Sequence, residues 1–412
     1  METKQEKLFS KNYLLMISVA AFAYTCSFMI TSTSPQQCIA LGGTKAISGM
    51  LASAHTIAAF AFRPTWGRLN DTVGRKKIYY LGIALCLSAT AVFFIAKAIP
   101  LLFIARIIFG AGFAAVTTSN GTIVADIIPK ERFSEGIALY GTASIFSQSV
   151  APGLALFLYD FGFSWVLIAV TLSWLMCLFC GLSVKYNEKE MLKAKAEANS
   201  NNLQKKEGGF FEKRAMPAAF TVMFMSLANS SVATFLPLMG IERGIEGVSI
   251  YFTLSACGLF CTRVVGRKLP RLLGENKVFY GAMCFYLCAF INLIFATSRW
   301  QVALAGMCYG FGIGFGFPLL NSAAVRSVES NRRGRATSTY MAMQDVGSSV
   351  GSTIWGMVAN SNPFTTVYSC VFCVAVCQVI SYTLLLRKKA QPGEKTLREI
   401  LHHDHHHDHG VH

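Results

Sequence analysis

The sequence is poor in charge, and the charges it has are bunched. Only 14% of its 412 residues are Asp, Glu, Lys or Arg, against roughly 25% in soluble domains. Residues 78–96, 107–125, 136–159, 161–184, 215–241, 278–298 and 300–325 contain none. Each run is close to the roughly 17–25 residues that a helix needs to cross the hydrocarbon core of a bilayer. That pattern excludes an ordinary soluble domain. It also excludes a membrane barrel, whose strands are short and alternate in polarity. A cleavable leader is not expected either, because the first apolar segment is rich in polar residues and leads straight into further spans.

Twelve spans account for the apolar sequence: about 12–33, 46–66, 77–97, 100–121, 133–158, 163–184, 215–238, 248–266, 277–297, 300–324, 334–358 and 364–386. The runs 46–62 and 247–262 reach full length only by taking in Arg63 and Arg263, and the fourth span contains Arg106. The expected fold is therefore an all-α polytopic membrane protein. An even number of spans puts both termini on one side. Thirty of the 37 basic residues fall in the termini and the loops of that side, whereas only Lys45, Lys97, Arg243 and Arg299 fall in the loops opposite. Basic loops stay in the cytoplasm, so both termini are expected there. The same dispersal removes nucleic acid as a partner, which would need the net charge of +16 gathered on one surface. Cysteine is plentiful, but Cys177/Cys180, Cys257/Cys261, Cys284/Cys288 and Cys370/Cys373/Cys377 recur three or four apart inside spans. That spacing reads as packing on single helix faces rather than as a disulfide framework.

The chain repeats itself at an offset of 200. Arg63, Gly74, Lys77 and Tyr80 match Arg263, Gly274, Lys277 and Tyr280. Gly110 and Gly112 match Gly310 and Gly312, and Arg132 and Tyr140 match Arg332 and Tyr340. The expected organisation is a six-helix half over 1–184, a cytoplasmic linker over 185–214, a second half over 215–386 and a tail over 387–412. Pseudo-symmetric halves with a site between them are the architecture of secondary transporters.

Three segments carry chemistry. Gly67-Arg68-Leu69-Asn70-Asp71-Thr72-Val73-Gly74-Arg75-Lys76-Lys77 lies between spans two and three. Its glycines permit tight turns and close helix approach. Asp71 is placed to meet the positive N-terminus of span eleven near Gly334, and Arg75 to pair with Asp126. Such contacts would latch the cytoplasmic side in one state and break in the other. The second half lacks the Asp, so the latch is expected to be asymmetric. The second segment is Arg106-Ile107-Ile108-Phe109-Gly110-Ala111-Gly112-Phe113-Ala114-Ala115 in span four. An arginine there is costly in lipid and should face the interior and a partner, with snorkelling to the surface as the alternative. The third is Gln148-Ser149-Val150-Ala151-Pro152-Gly153-Leu154-Ala155 in span five, with a proline kink.

These segments resemble the signatures of the major facilitator superfamily, and together they are most similar to its drug:proton antiporter branch of bacterial drug and sugar exporters. The first matches Gly-x-Leu-x-Asp-x-x-Gly-Arg-Lys. The second matches Arg-x-x-Gln-Gly-x-Gly-x-Ala-Ala with Phe109 in place of Gln. The third is similar to the antiporter signature Gly-Pro-x-x-Gly-Gly, with Ala151 and Ala155 in place of the glycines on either side of its Pro-x-x. The resemblance implies the two-half, twelve-helix facilitator fold, a plasma or bacterial inner membrane location, action as a monomer, and transport rather than enzymatic catalysis. In proton-coupled relatives the arginine at the position of Arg106 is linked to proton transfer.

A proton-coupled carrier needs a titratable group inside the membrane. Asp345, about ten residues into span eleven, is the only acid near mid-membrane, and His55 is the only membrane histidine. Burial disfavours a charged carboxylate and an opening cavity restores it, so Asp345 is the leading proton site. The alternative for Asp345 is a carboxylate fixed by an Arg or a helix end, and for His55 a packing role. Tyr24, Asn120, Tyr140, Gln148, Asn229, Asn321, Tyr340 and Gln344 are the polar candidates for a substrate cavity, about half of them expected to line it. Gly310, Gly312, Gly314, Gly316 and Pro318 make span ten a candidate gating segment. No cofactor is expected; the tail, where His402, His403, His405, His406, His407 and His409 alternate with Asp404 and Asp408, reads either as a site for a divalent metal or as a low-complexity end without function. The leading expectation is proton-coupled efflux of a small organic molecule by alternating access. The alternatives are an importer (a symporter) or facilitator of the same fold, a metal or metal-chelate transporter, and a non-transporting membrane sensor.

Overall fold

The computed structural model describes residues 9–129, 132–186, 212–265, 269–328 and 333–387, with the side chains of Asp71 and of a few residues in 133–145, 271 and 333–335 left aside. Twelve long helices follow in chain order: α1 (Lys11–Ala40), α2 (Lys45–Thr72), α3 (Arg75–Ile95), α4 (Ile99–Ile127), α5 (Phe133–Tyr159), α6 (Phe163–Ser183), α7 (Met216–Arg243), α8 (Ile250–Val265), α9 (Glu275–Ile294), α10 (Arg299–Arg326), α11 (Arg333–Ser361) and α12 (Phe364–Leu385). Among the described residues, nine helices are long and apolar enough to cross a membrane, with α8 a shorter apolar one. The apolar surface is the second sign of a membrane protein. Phe157, Leu172, Phe179, Phe260, Leu304 and Leu384 are exposed, and so much exposed apolar area is stable only against lipid.

Local sequence sets the helix ends. Ser10 and Thr44 accept hydrogen bonds from the Tyr13 and Ile47 amides at the starts of α1 and α2, and Ser298 with Gln301 forms a full capping box on α10. One boundary differs from the sequence reading. The signature segment 67–77 is not a loop: α2 runs on to Thr72 and α3 begins at Arg75. Only Val73 and Gly74 turn the chain, and Gly74 has a φ of 118°, which disfavours any residue with a Cβ.

The buried apolar residues form two large clusters, one within α1–α6 and one almost wholly within α7–α12. The repeat seen in the sequence recurs in the packing. A Cβ on Gly110 would lie 2.3 Å from the His55 carbonyl oxygen, and one on Gly310 would lie 2.2 Å from that of Ser255. The corresponding members of the two contacts, Gly110 and Gly310 and likewise His55 and Ser255, sit 200 residues apart. Glycine thus lets α4 touch α2 in one half as α10 touches α8 in the other. All thirteen cysteines are free, six buried and seven exposed. The halves meet through α2 with α11, α5 with α8, and α1 with α7.

Candidate functional site

The interface between the halves is closed at one end. Lys45 at the start of α2 forms an ion pair with Glu242 at the end of α7, and Glu242 also accepts from the Phe364 amide at 3.2 Å. Below it the Gly49 backbone meets Ser352 and Gly356 of α11. The Ser53 hydroxyl donates to the Ser349 carbonyl at 2.6 Å and lies 2.7 Å from that of Thr353. On the other flank, Gly153 of α5 lies against Phe252 of α8. Toward the side on which α1 begins and α12 ends, Gly67 and Gly141 face open space.

Between these zones lies one cross-interface ion pair. Arg63 of α2 approaches Asp345 of α11, with NH2 and Oδ2 3.6 Å apart. Both side chains are partly exposed, at 31% and 26%, so the pair faces an accessible space rather than a sealed core. At 3.6 Å the contact is electrostatic and not a hydrogen bond. Arg63 entered the sequence reading only as one member of the repeat. Its signal was an arginine closing an otherwise uncharged run.

Arg106 is fully buried, which excludes snorkelling. Its Nε donates to the Leu51 carbonyl at 3.1 Å and one terminal nitrogen to that of Ala52 at 3.2 Å, with longer contacts to the Thr31 hydroxyl. Its partners are therefore backbone dipoles of α2 and a hydroxyl of α1. Among the described residues it makes no ion pair. His55, one turn further along α2, shares a 3.1 Å hydrogen bond with Ser27. Its ring lies against Phe109 and Phe113, and its Nδ1 is buried without a partner.

The predicted cavity residues divide. Asn120 donates to the Met16 carbonyl at 3.0 Å and to the Tyr140 hydroxyl at 3.2 Å. Tyr340 donates to the Phe317 carbonyl at 2.9 Å. These three are tied into helix packing within their own halves. Tyr24 packs on Phe28 and Phe113. Gln148 and Asn229 come together from α5 and α7 in a narrow closed space at the interface, shared with Phe28, Pro152, Phe252 and Tyr309. The Oδ1 atoms of Asn229 and Asn321 are buried without partners. Gln344 precedes the ion-paired Asp345 and is half-buried. In α10, Gly310, Gly312, Gly314 and Gly316 each abut a neighbouring helix, and Pro318 lies inside a continuous helix.

On the terminus side Arg75 is buried and ion-paired with Asp126. Tyr186, just beyond α6, joins them: Arg75 donates to its hydroxyl, which in turn donates to Asp126. This cluster binds α3 to α4 within the first half, so it stiffens that half and does not itself cross the interface. The Asp71 side chain and the tail histidines, His402, His403, His405, His406, His407 and His409, lie outside the described residues. Within the described residues no cluster of His, Cys, Asp or Glu suits a metal.

The relatives of this chain are transporters. A family model for the Major Facilitator Superfamily matches residues 16–392. A protein of Staphylococcus aureus called staphylopine export protein is 25% identical over 83% of this chain and 88% of its own length. Among solved structures, a D-xylose-proton symporter superposes with a TM-score of 0.72 at 13% identity, covering 93% of this chain and all of that one. The nucleoside transporter NupG gives 0.69 at 15% identity over 91% and 99%.

Proposed function

This chain belongs to the major facilitator superfamily and moves a small solute across a membrane; from that premise we propose that it is a proton-coupled exporter working by alternating access. The observation that carries this reading is the ion pair of Arg63 with Asp345, a titratable carboxylate of one half held by a fixed cation of the other. An arginine stays charged, so only Asp345 can carry the proton. Ionised, it draws α11 toward α2. A proton on it removes the charge that Arg63 faces, and the attraction across the interface goes with it. Protonation is thereby linked to the relative position of the halves, which is what coupling requires.

The closed end at Lys45 and Glu242 fits one state of such a cycle. With the basic loops in the cytoplasm, that closed end is the external one. Arg106 contributes a fixed positive charge behind α2, within reach of Leu51 and Ala52, and His55 a neighbouring titratable group. Asp71, with Gly67 and Gly74, is the part of the latch expected to close the cytoplasmic face in the opposite state, and Arg75 with Asp126 holds α3 on α4 beside it. Export is supported by the relative named for it.

Paired flux in proteoliposomes tests the coupling. Asp345→Asn should abolish substrate movement driven by a pH gradient while sparing exchange at equal pH, because exchange needs alternating access but no net proton release. A variant that still concentrates substrate would make Asp345 structural and send coupling through His55, Asp126 or another ion.

A further inference from the structure

The cross-interface charges do not balance. Arg63 and Arg263 hold equivalent places 200 residues apart, Arg63 within α2 and Arg263 in the last turn of α8. Arg63 has Asp345 across the interface. Arg263 has no such acid: among the described residues it enters no ion pair, and the position equivalent to Asp345 in α5 is Ile145. Its location is nonetheless an interface one. Arg263 lies eleven residues, three helical turns, beyond Phe252, which puts both on one face of α8. Phe252 touches Gly153 of α5 and lines the closed space with Gln148 and Asn229.

The donors of these arginines are also unspent. Nε and one terminal nitrogen of Arg263 are buried without hydrogen-bond partners, as is Nε of Arg63. Buried unpaired donors are expensive, more so on a cation inside a membrane. Arg106, by contrast, is fully buried and is satisfied by carbonyls of α2. A guanidinium that keeps its fork free at a half-buried interface position is suited to a planar oxyanion.

We propose that Arg263 binds the oxyanion group of an organic anion, so that the transported substrate is a carboxylate- or phosphate-bearing molecule. This rests on the transport reading above and specifies its substrate class. The anion supplies the missing counter-charge at Arg263.

The test uses the full purified chain. Citrate, succinate and inorganic phosphate serve as anionic probes, the first two separating carboxylate from phosphate recognition, and tetraethylammonium and choline as cationic ones. Thermal stability is titrated against each. At least one anion should raise the melting temperature saturably. Arg263→Gln should weaken its binding by about ten- to a hundredfold, and Arg263→Lys, which keeps the charge and loses the fork, should fall between. Arg326→Gln, which removes a cation outside the interface, should bind as the parent does. If Arg263→Gln does not yield folded protein, Arg263→Lys carries the comparison. Stabilisation by cations alone, by no anion, or equally in parent and Arg263 variants overturns the proposal. Flux separates this inference from the reading beneath it. Proton-driven transport of a cationic or neutral solute would sink the anion site and leave the transporter, whereas Arg263-dependent anion binding without flux would do the reverse.

Discussion

The two halves make the same backbone contacts with different chemistry. In the first, Arg106 of α4 spans the gap to α2 and donates to the carbonyl of Leu51. In the second, the equivalent residue of α10 is Gly306, whose backbone presses on Tyr251, the equivalent of Leu51; a Cβ there would lie 2.2 Å from the Tyr251 carbonyl oxygen. One half joins these helices through a long polar side chain and the other through direct backbone packing. The charged pairs on the terminus side are reversed in the same way. Arg75 with Asp126 becomes Glu275 with Arg326 at the same offset. The first pair is buried and shared with Tyr186, while Arg326 is 48% exposed. A duplicated framework therefore keeps its helix contacts, which backbone geometry demands, and is free to change the charges placed on it. The first half retains the buried ionic groups and the second relies on close packing.

The sharpest way to break this contrast is at the charge pairs. Arg75→Gln leaves Asp126 largely buried without its cation and should cost about 3–5 kcal/mol. Arg326→Gln opens a pair in contact with water and should cost no more than about 1 kcal/mol. Denaturation of both variants in one detergent measures the difference, and equal losses would erase the asymmetry. A smaller effect is expected at the packing contact. Gly306→Leu forces a side chain against the Tyr251 carbonyl and should destabilise by about 1–3 kcal/mol. Gly67→Ala, with open space around it, should stay within about 0.5 kcal/mol. A tolerated Gly306→Leu would mean that α8 and α10 can part as α2 and α4 do.

The smallest change in stability is expected at Asp71, which has no acidic counterpart in the second half. Asp71→Asn should leave insertion and expression nearly intact, within about 0.5 kcal/mol, yet slow transport by shifting the ensemble away from the outward-open state. Distances between the terminus-side ends of α2 and α11, measured with paired spin labels, decide it. An unchanged distribution together with normal flux would remove Asp71 from the latch.

The class of the protein and its twelve spans were legible in the sequence because each follows from where charge is missing, and its internal repeat because arginines, glycines and tyrosines recur 200 residues apart. A run such as 215–241 cannot stay in water or end within lipid, so its length specifies a helix across the membrane. The interior position of Arg106 followed from the same cost. Only the tertiary structure decided which groups face one another. Asp345 was legible as the lone mid-membrane acid, but its partner Arg63 lies in the other half, and no local pattern relates them. Whether Asn120 lines a cavity or braces Tyr140 depends on how two helices are rotated about their axes, as does the difference between a satisfied Arg106 and an unsatisfied Arg263. Burial energy in a membrane is read residue by residue along the chain, whereas pairing depends on the tilt and rotation of helices that only packing sets.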